Sequence, residues 1–157
     1  MNPVLQVLMG AIGTFGFCVT FHLRGRKLFL ATLGGALSWT VCLLLGNVFD
    51  AEPVRYFFSA MFVAAYAEVL ARLLKTPTTT FLIPGIIPHI PGSALYHTMR
   101  FALNRQWPEC LNRALYTLKL ALALALGMIV VLSVLNVLHK IMGRSLYRNA
   151  RQKEPIS

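Results

Sequence analysis

The segment that decides the fold is Ile83-Pro84-Gly85-Ile86-Ile87-Pro88-His89-Ile90-Pro91-Gly92, which interrupts a membrane-length apolar stretch. Its three prolines lack backbone N–H groups and clash with a continuing helix, and its two glycines permit backbone angles that other residues avoid. Yet residues 81–99 are too apolar for an ordinary surface loop. In a bilayer, non-helical backbone is tolerated only where protein or a water-filled cavity satisfies its polar groups. The sequence therefore predicts a broken membrane segment, a feature that often forms the substrate site in transporters.

The composition is typical of an integral membrane protein. The 157 residues are 57% hydrophobic and only 13% charged, whereas a soluble domain has about 25% charged residues. The net charge of +10 does not indicate nucleic acid as a partner, because the basic residues cluster at the ends of apolar runs. We expect a single transmembrane domain over residues 1–140, followed by a basic cytoplasmic tail over residues 141–157, with no room for a second, soluble domain.

Five segments are apolar enough to cross a bilayer, which takes roughly 20 residues. They cover residues 4–23, 28–48, 56–74, 78–99 and 118–138. The predicted fold is thus an all-α integral membrane protein with about five transmembrane helices, the fourth broken by the Pro/Gly motif. Small residues at helical spacing predict faces where helices approach closely. These residues are Gly10, Gly13 and Gly16 in the first span, Gly34, Gly35 and Ser38 in the second, and Ala60, Ala64, Ala67 and Ala71 in the third.

The charge bias predicts that the N-terminus lies outside and the C-terminus in the cytoplasm. With five crossings, ten of the fifteen basic residues fall on the inner side, and Arg55, Arg100, Arg105, Arg113 and Lys119 fall outside. A re-entrant fourth segment would place the basic tail outside, so we expect a true crossing. The tail itself is expected to contact anionic membrane lipid.

Two ionisable residues at membrane depth are candidates for proton coupling. Glu68 is the only acid inside a predicted span, and it either pairs with Arg72 one helical turn on or takes part in the proton path. His89 lies at the centre of the broken segment, where it either carries protons near neutral pH or satisfies local carbonyl groups.

The helix that begins after Pro91 is the predicted anion site. The N–H groups of Gly92, Ser93 and Ala94 would point into the break, and together with the helix dipole they would bind a carboxylate. Tyr96, on the same helix, either hydrogen-bonds a ligand or packs as an interfacial aromatic residue. The whole predicted substrate path comprises Pro84, Gly85, Ile86, Pro88, His89, Pro91, Gly92, Ser93 and Tyr96.

The sequence gives no indication of an enzyme. The histidines and cysteines have no metal-ligand spacing, and no nucleophile–base set or paired carboxylates suggest catalysis. We therefore expect neither a metal nor another cofactor.

Residues 81–99, Phe-Leu-Ile-Pro-Gly-Ile-Ile-Pro-His-Ile-Pro-Gly-Ser-Ala-Leu-Tyr-His-Thr-Met, resemble the signature of the threonine/serine exporter family in its small-subunit form. Residues 21–39 are similar to the family's first connection and second helix, and the likeness extends over about residues 1–140. The family has an apolar residue more often at the position of His89, which argues against a proton-carrying role common to all members.

The resemblance implies a subunit of a secondary exporter in the plasma (inner) membrane. It implies threonine and serine as substrates, or dicarboxylates such as succinate. It also implies a larger membrane subunit as partner, because the sequence is similar only to the smaller half of the full-length form; a second copy of the chain is an alternative partner. A non-transporting membrane scaffold or assembly subunit is the alternative interpretation, because small-residue faces and short loops fit it equally well.

Overall fold

The computed structural model describes residues 2–151, and every regular element in that range is helical. The helices are α1 Pro3–Thr20, α2 Arg26–Leu45, α3 Glu52–Leu73, α4 Thr79–Ile86, α5 Gly92–Leu103 and α6 Trp107–Arg151. A short 3-10 turn, Ile87–His89, follows α4. The predicted tail begins within α6, and its last residues, 152–157, lie outside the described residues.

Within residues 2–151, four helices are long and apolar enough to cross a membrane: α1, α2, α3 and the Trp107–Leu138 part of α6. They account for four of the five predicted spans and make the chain a multi-pass membrane protein. The fourth predicted span is divided between α4, with 8 residues, and α5, with 12 residues. At 1.5 Å per residue these helices are about 12 and 18 Å long, so neither spans a bilayer alone. A crossing by residues 78–99, and the orientation of the chain, stay predictions.

Two helices begin earlier than the apolar pattern predicts. The third span was expected from residue 56, but α3 begins at Glu52, with Pro53 in its first turn, where proline is well tolerated. The last span was expected from residue 118, but α6 begins at Trp107. In both cases a charged or polar first turn belongs to the helix, although it does not belong to the apolar run.

α3 is the central helix and packs against α2, α4 and α6. Its predicted small-residue face is buried, because Ala60, Ala64 and Ala67 have no exposed surface and Ala71 is only 4% exposed. Gly127 brings α6 close to this helix: a Cβ at Gly127 would lie 2.4 Å from the carbonyl oxygen of Phe57.

α1 and α2 also pack closely, along a side of α1 that includes Gly10 but not the other two predicted glycines. Gly35 of α2 leaves space for Thr14, whose Oγ1 would be 2.2 Å from a Cβ at Gly35. Thr14 and Cys18 are fully buried, whereas Gly13 and Gly16 are exposed and have no described atom near their Cβ positions. The buried side of α1 therefore runs along Thr14 and Cys18.

Helices α1, α3 and α5 end in the same way. Each is followed by a basic residue with positive φ: His22 at 57°, Lys75 at 50° and Arg105 at 58°. In each case the next N–H bonds back to a carbonyl five residues earlier, as in Leu23 to Cys18 (3.0 Å) and Thr76 to Ala71 (2.9 Å). This is the Schellman arrangement, which satisfies carbonyl groups at the helix end and turns the chain sharply.

Candidate functional site

The prolines explain where the fourth apolar segment changes conformation. In a continuous helix, the carbonyl groups of Pro84 and Ile87 would accept from residues 88 and 91, but both are prolines without an N–H. The two carbonyl groups accept instead from residues three positions on, Ile87 and Ile90. The α-helix therefore tightens into the 3-10 turn, and Ile90 then becomes extended before α5 begins.

Side chains of the neighbouring helices provide hydrogen bonds to this turn. Ser38 Oγ on α2 lies within hydrogen-bond distance of two carbonyl oxygens, those of Gly35 (2.8 Å) and Gly85 (3.1 Å), and can donate to either. Ser59 Oγ on α3 donates to the Ser38 carbonyl oxygen at 2.8 Å and lies 2.6 Å from His89 Nε2. A buried polar cluster, Ser38, Ser59 and His89, thus connects α2, α3 and the turn.

Aromatic rings surround the imidazole of His89, which has no exposed surface. The ring of Trp39 lies edge-on at a centroid distance of 5.5 Å, and that of Tyr56 at 5.7 Å. Within the described part of the chain, Trp39 Nε1 and His89 Nδ1 are both buried and have no hydrogen-bond partner. The site therefore contains one indole N–H and one imidazole nitrogen that the described residues do not satisfy.

The residues of the predicted substrate path fall into three groups. Pro84, Gly85 and His89 are buried in the bundle. Ile86, Pro88 and Pro91 are partly buried beside them. Gly92, Ser93 and Tyr96 are exposed, Tyr96 by 64% of its surface. The structure thus groups the residues before the break with the polar cluster, and it places those of α5 on the surface of this chain.

The start of α5 is open, as the anion-site hypothesis requires, but one of its three backbone N–H groups already donates a hydrogen bond within the chain. Gly92 N–H donates to the Ile90 carbonyl oxygen at 2.7 Å. No described atom lies within 4 Å of a Cβ built at Gly92. The N–H groups of Ser93 and Ala94 are therefore the better candidates for binding an anion.

A recess of about 210 Å³ lies between the end of α1 and the beginning of α4. It is lined by Phe21, Leu23, Thr79, Thr80, Ile83 and Pro84. Thr79 and Thr80 give this recess hydroxyl groups, and Pro84 belongs to the predicted path. A more open groove of about 640 Å³ lies between α1 and α2 and includes none of the predicted path residues.

Glu68 has one partner on its own helix and another immediately before α4. Arg72, one turn along α3, forms an ion pair with Glu68 Oε1, and its Nε lies 2.9 Å from that oxygen. Thr78, immediately before α4, donates to Glu68 Oε2 at 2.6 Å. The ion pair is one of the two alternatives that the spacing predicts. The bond from Thr78 additionally connects this carboxylate to the beginning of the broken segment.

Sequence reasoning missed several residues of the polar cluster. Ser38 was expected only as a small packing residue, and Ser59, Trp39 and Tyr56 were not singled out. Ser59 is a polar residue within an apolar span, which is the one signal that could have indicated it. Its partners are 21 and 30 positions away, so no local spacing predicts that they meet.

Residues that could bind a metal do not come together. In the described range, no group of three or more histidine, cysteine, aspartate or glutamate residues is arranged to hold a metal ion. His89 instead contacts the Ser59 hydroxyl and the rings of Trp39 and Tyr56.

Comparison with known proteins gives one family. Residues 6–134 match the family model described as Threonine/Serine exporter, ThrE. No curated protein and no solved structure matches the chain.

Proposed function

The chain belongs to the threonine/serine exporter family, and from that premise we propose that it is one subunit of a secondary exporter for small carboxylate-bearing metabolites. The substrates are threonine and serine, or dicarboxylates such as succinate. Transport takes place across the plasma (inner) membrane, and a larger membrane subunit of the same family completes the transporter.

The observation that carries this proposal is the buried polar cluster at the break. His89, Ser59 and the Gly85 carbonyl group lie where the prolines interrupt the helix, between helices α2 and α3. Polar groups and irregular backbone are costly at membrane depth, and where they occur they often mark a substrate path. The cluster therefore supports the break as the place where substrate passes.

Different parts of the broken segment hold different parts of the substrate. The N–H groups of Ser93 and Ala94 at the start of α5 bind its carboxylate, since free N–H groups and the helix dipole favour an anion there. The backbone and side chains from Gly85 to His89 bind its other polar groups. The recess beside Thr79 and Thr80 is the entry from the cytoplasmic side.

Export against a gradient requires coupling, and protons are the proposed coupling ion with Glu68 as their site. Its carboxylate accepts a hydrogen bond from Thr78, which immediately precedes α4. Protonation would weaken the attraction of Arg72 for this carboxylate and would alter the bond to Thr78. A proton bound to Glu68 would therefore act directly on the beginning of the broken segment.

The exposed surface of the α5–α6 pair supports a partner subunit. α5 packs against α6 and leaves Leu95, Tyr96, Met99 and Leu103 exposed. A larger subunit that covers this face would enclose Gly92 and Ser93, which are exposed in the single chain. The path would then lie between the two subunits, and neither subunit alone would export.

Efflux of labelled threonine, serine and succinate, from cells that contain the chain and its partner, tests the proposal. We expect Gly92→Val to reduce efflux strongly, because the side chain would block the break, although this chain has space for it. Gly13→Val, at another exposed glycine with open surroundings, is the matched control and should leave efflux unchanged. Unaltered efflux and expression in Gly92→Val would contradict the assignment of the path.

A second candidate function is a non-transporting membrane scaffold. The observation that favours it is the complete burial of His89 within protein. It predicts that water never reaches the break, which thiol labelling can measure.

A further inference from the structure

We propose that Trp39 and His89 form a binding site for a hydroxyl group, and that this site makes the exporter prefer hydroxylated substrates over otherwise identical ones. The inference rests on the proposed function and adds two specificity-determining residues to it. Trp39 was not among the residues of the predicted path.

The hydrogen bonds of Ser59 assign the tautomer of His89. A serine hydroxyl has one hydrogen to donate, and Ser59 directs it to the Ser38 carbonyl oxygen. With the Ser59 hydrogen assigned to the Ser38 carbonyl, Ser59 Oγ accepts from His89 Nε2, which lies 2.6 Å away. With the hydrogen on Nε2, the neutral imidazole has a lone pair on Nδ1 and is a hydrogen-bond acceptor there.

Trp39 supplies the complementary donor. Its indole Nε1–H can only donate, and no described residue accepts from it. The rings of Trp39 and His89 have their centroids 5.5 Å apart at an interplanar angle of 66°. Because the two rings are in edge contact, one oxygen atom beside them would be the common hydrogen-bond partner of Trp39 Nε1–H and His89 Nδ1.

The pair of unsatisfied atoms selects a particular chemical group. A hydroxyl accepts from Trp39 Nε1–H and donates to His89 Nδ1 at the same time. A carboxylate can only accept and an ammonium group can only donate, so each would leave one ring nitrogen unsatisfied. A methyl group in this position would satisfy neither. Leaving a buried polar atom unpaired is costly, and sites built around a substrate hydroxyl therefore discriminate against analogues that lack it.

The position of the pair connects it to the path. His89 ends the 3-10 turn, and Gly10 of α1 lies beside both Pro88 and Trp39. A Cβ built at Gly10 would be 3.7 Å from Pro88 Cβ and 3.8 Å from Trp39 Cβ. Because His89 is fully buried, a substrate reaches the pair only when the turn shifts. The prolines facilitate such a shift, since the turn lacks two of its α-helical hydrogen bonds.

Efflux of paired substrates, which differ by one hydroxyl group, tests the inference. The pairs are serine against alanine and threonine against 2-aminobutyrate, with malate against succinate if the exporter transports dicarboxylates. We expect the unmodified exporter to favour the hydroxylated member by roughly tenfold or more, since its analogue leaves two buried atoms unpaired. Trp39→Phe should reduce this ratio several-fold, because only His89 Nδ1 then remains to bind the hydroxyl.

Tyr56→Phe is the matched control, because Tyr56 also packs edge-on against His89 but its hydroxyl plays no part in the site. It should keep the ratio of the unmodified exporter. Equal efflux of both members by the unmodified exporter would overturn the inference, whether or not Trp39→Phe folds. The two ring nitrogens would then be hydrogen-bonded to a bound water and not to a substrate. Export of neither member of any pair would instead contradict the proposed function itself.

Discussion

Glu68 combines an observed structural contact with the functional role that we propose for it. Its carboxylate is paired with Arg72 on its own helix and bonded to Thr78 ahead of the next. An ion pair alone would stabilise α3 only modestly. In the proposed coupling, the bond to Thr78 is what would let the charge of Glu68 act on α4.

If Glu68 is the coupling site, Glu68→Gln should flatten the pH dependence of efflux. The glutamine side chain can still accept a hydrogen bond from Thr78, but it cannot take up or release a proton. Efflux measured over a range of external and internal pH is the readout. Thr78→Val should weaken the coupling and Thr78→Ser should preserve it, because only serine retains the hydroxyl. An unchanged pH profile in Glu68→Gln would remove Glu68 from this role.

The sequence predicted part of this arrangement and not the rest. The pair between Glu68 and Arg72 follows from a separation of four residues on a helix, so it was one of the predicted alternatives. Thr78 lies on a different element, beyond the turn at Lys75, and its bond to Glu68 depends on how α3 and α4 pack. For the same reason the sequence indicated His89 but not Ser38 and Ser59, which approach it from two other helices.

Lys75 occupies a backbone conformation that favours glycine. Its φ of 50° lies in the left-handed region, where a side chain costs roughly 1 kcal/mol or more. We predict that Lys75→Gly raises the free energy of unfolding by about 1 kcal/mol. Thermal unfolding of the purified protein in detergent measures this effect. Lys75→Ala removes the same charge without relieving the backbone, so an equal gain in both variants would contradict the explanation.

At the scale of elements, the packing of α3 and α6 depends on a glycine. A Cβ at Gly127 would meet the backbone carbonyl oxygen of Phe57 at 2.4 Å and Ala60 Cβ at 3.0 Å. Neither atom belongs to the flexible end of a side chain, so the helices would have to separate. Close approach of this kind is how membrane helices gain packing energy.

We therefore predict that Gly127→Ala destabilises the protein by about 1–3 kcal/mol, as overpacking typically does. Gly13→Ala is the control, because Gly13 has open surroundings and alanine is the better helix former, by up to about 1 kcal/mol. Unfolding in detergent should separate the two variants clearly. A Gly127→Ala protein as stable as Gly13→Ala would show that the two helices do not approach this closely.

The boundaries of the elements show which sequence signals are decisive. Pro84, Pro88 and Pro91 lie where α4 is followed by the 3-10 turn and α5, because a missing N–H acts locally through the hydrogen bonds of its own helix; a broken membrane-crossing segment stays a prediction. The first residues of α3 and α6 were not located, because charged turns such as Glu52–Arg55 extend a helix beyond its apolar part. The predicted face of α1 was only partly right, since Gly10 lies against Trp39 of α2 but Gly13 and Gly16 have open surroundings, and Thr14 and Cys18 continue the buried side.

For the whole molecule, the sequence predicted the membrane class and the family, and both are confirmed. Apolar composition and the Pro/Gly motif are enough for this. The orientation depends on which side of a bilayer each loop occupies, and the partner depends on a second chain, so both stay predictions. Exposed apolar side chains lie on α1, α2 and α3 as well as on α5 and α6, and lipid or a partner must pack against all of these surfaces.

The central claim is that the break between α4 and α5 lines a path for water and substrate. A water-soluble thiol reagent can test this in membranes that contain the partner. The probed variants are Ile86→Cys and Ser93→Cys, each made in a protein whose native Cys18, Cys42 and Cys110 are replaced by serine. Gly13→Cys is the control, because it is exposed on the outer surface of α1, where lipid excludes such a reagent. We predict that the cysteines at positions 86 and 93 are labelled and that added substrate slows the labelling. The claim would be contradicted if the cysteine at position 86 were as unreactive as the one at position 13, both with and without substrate.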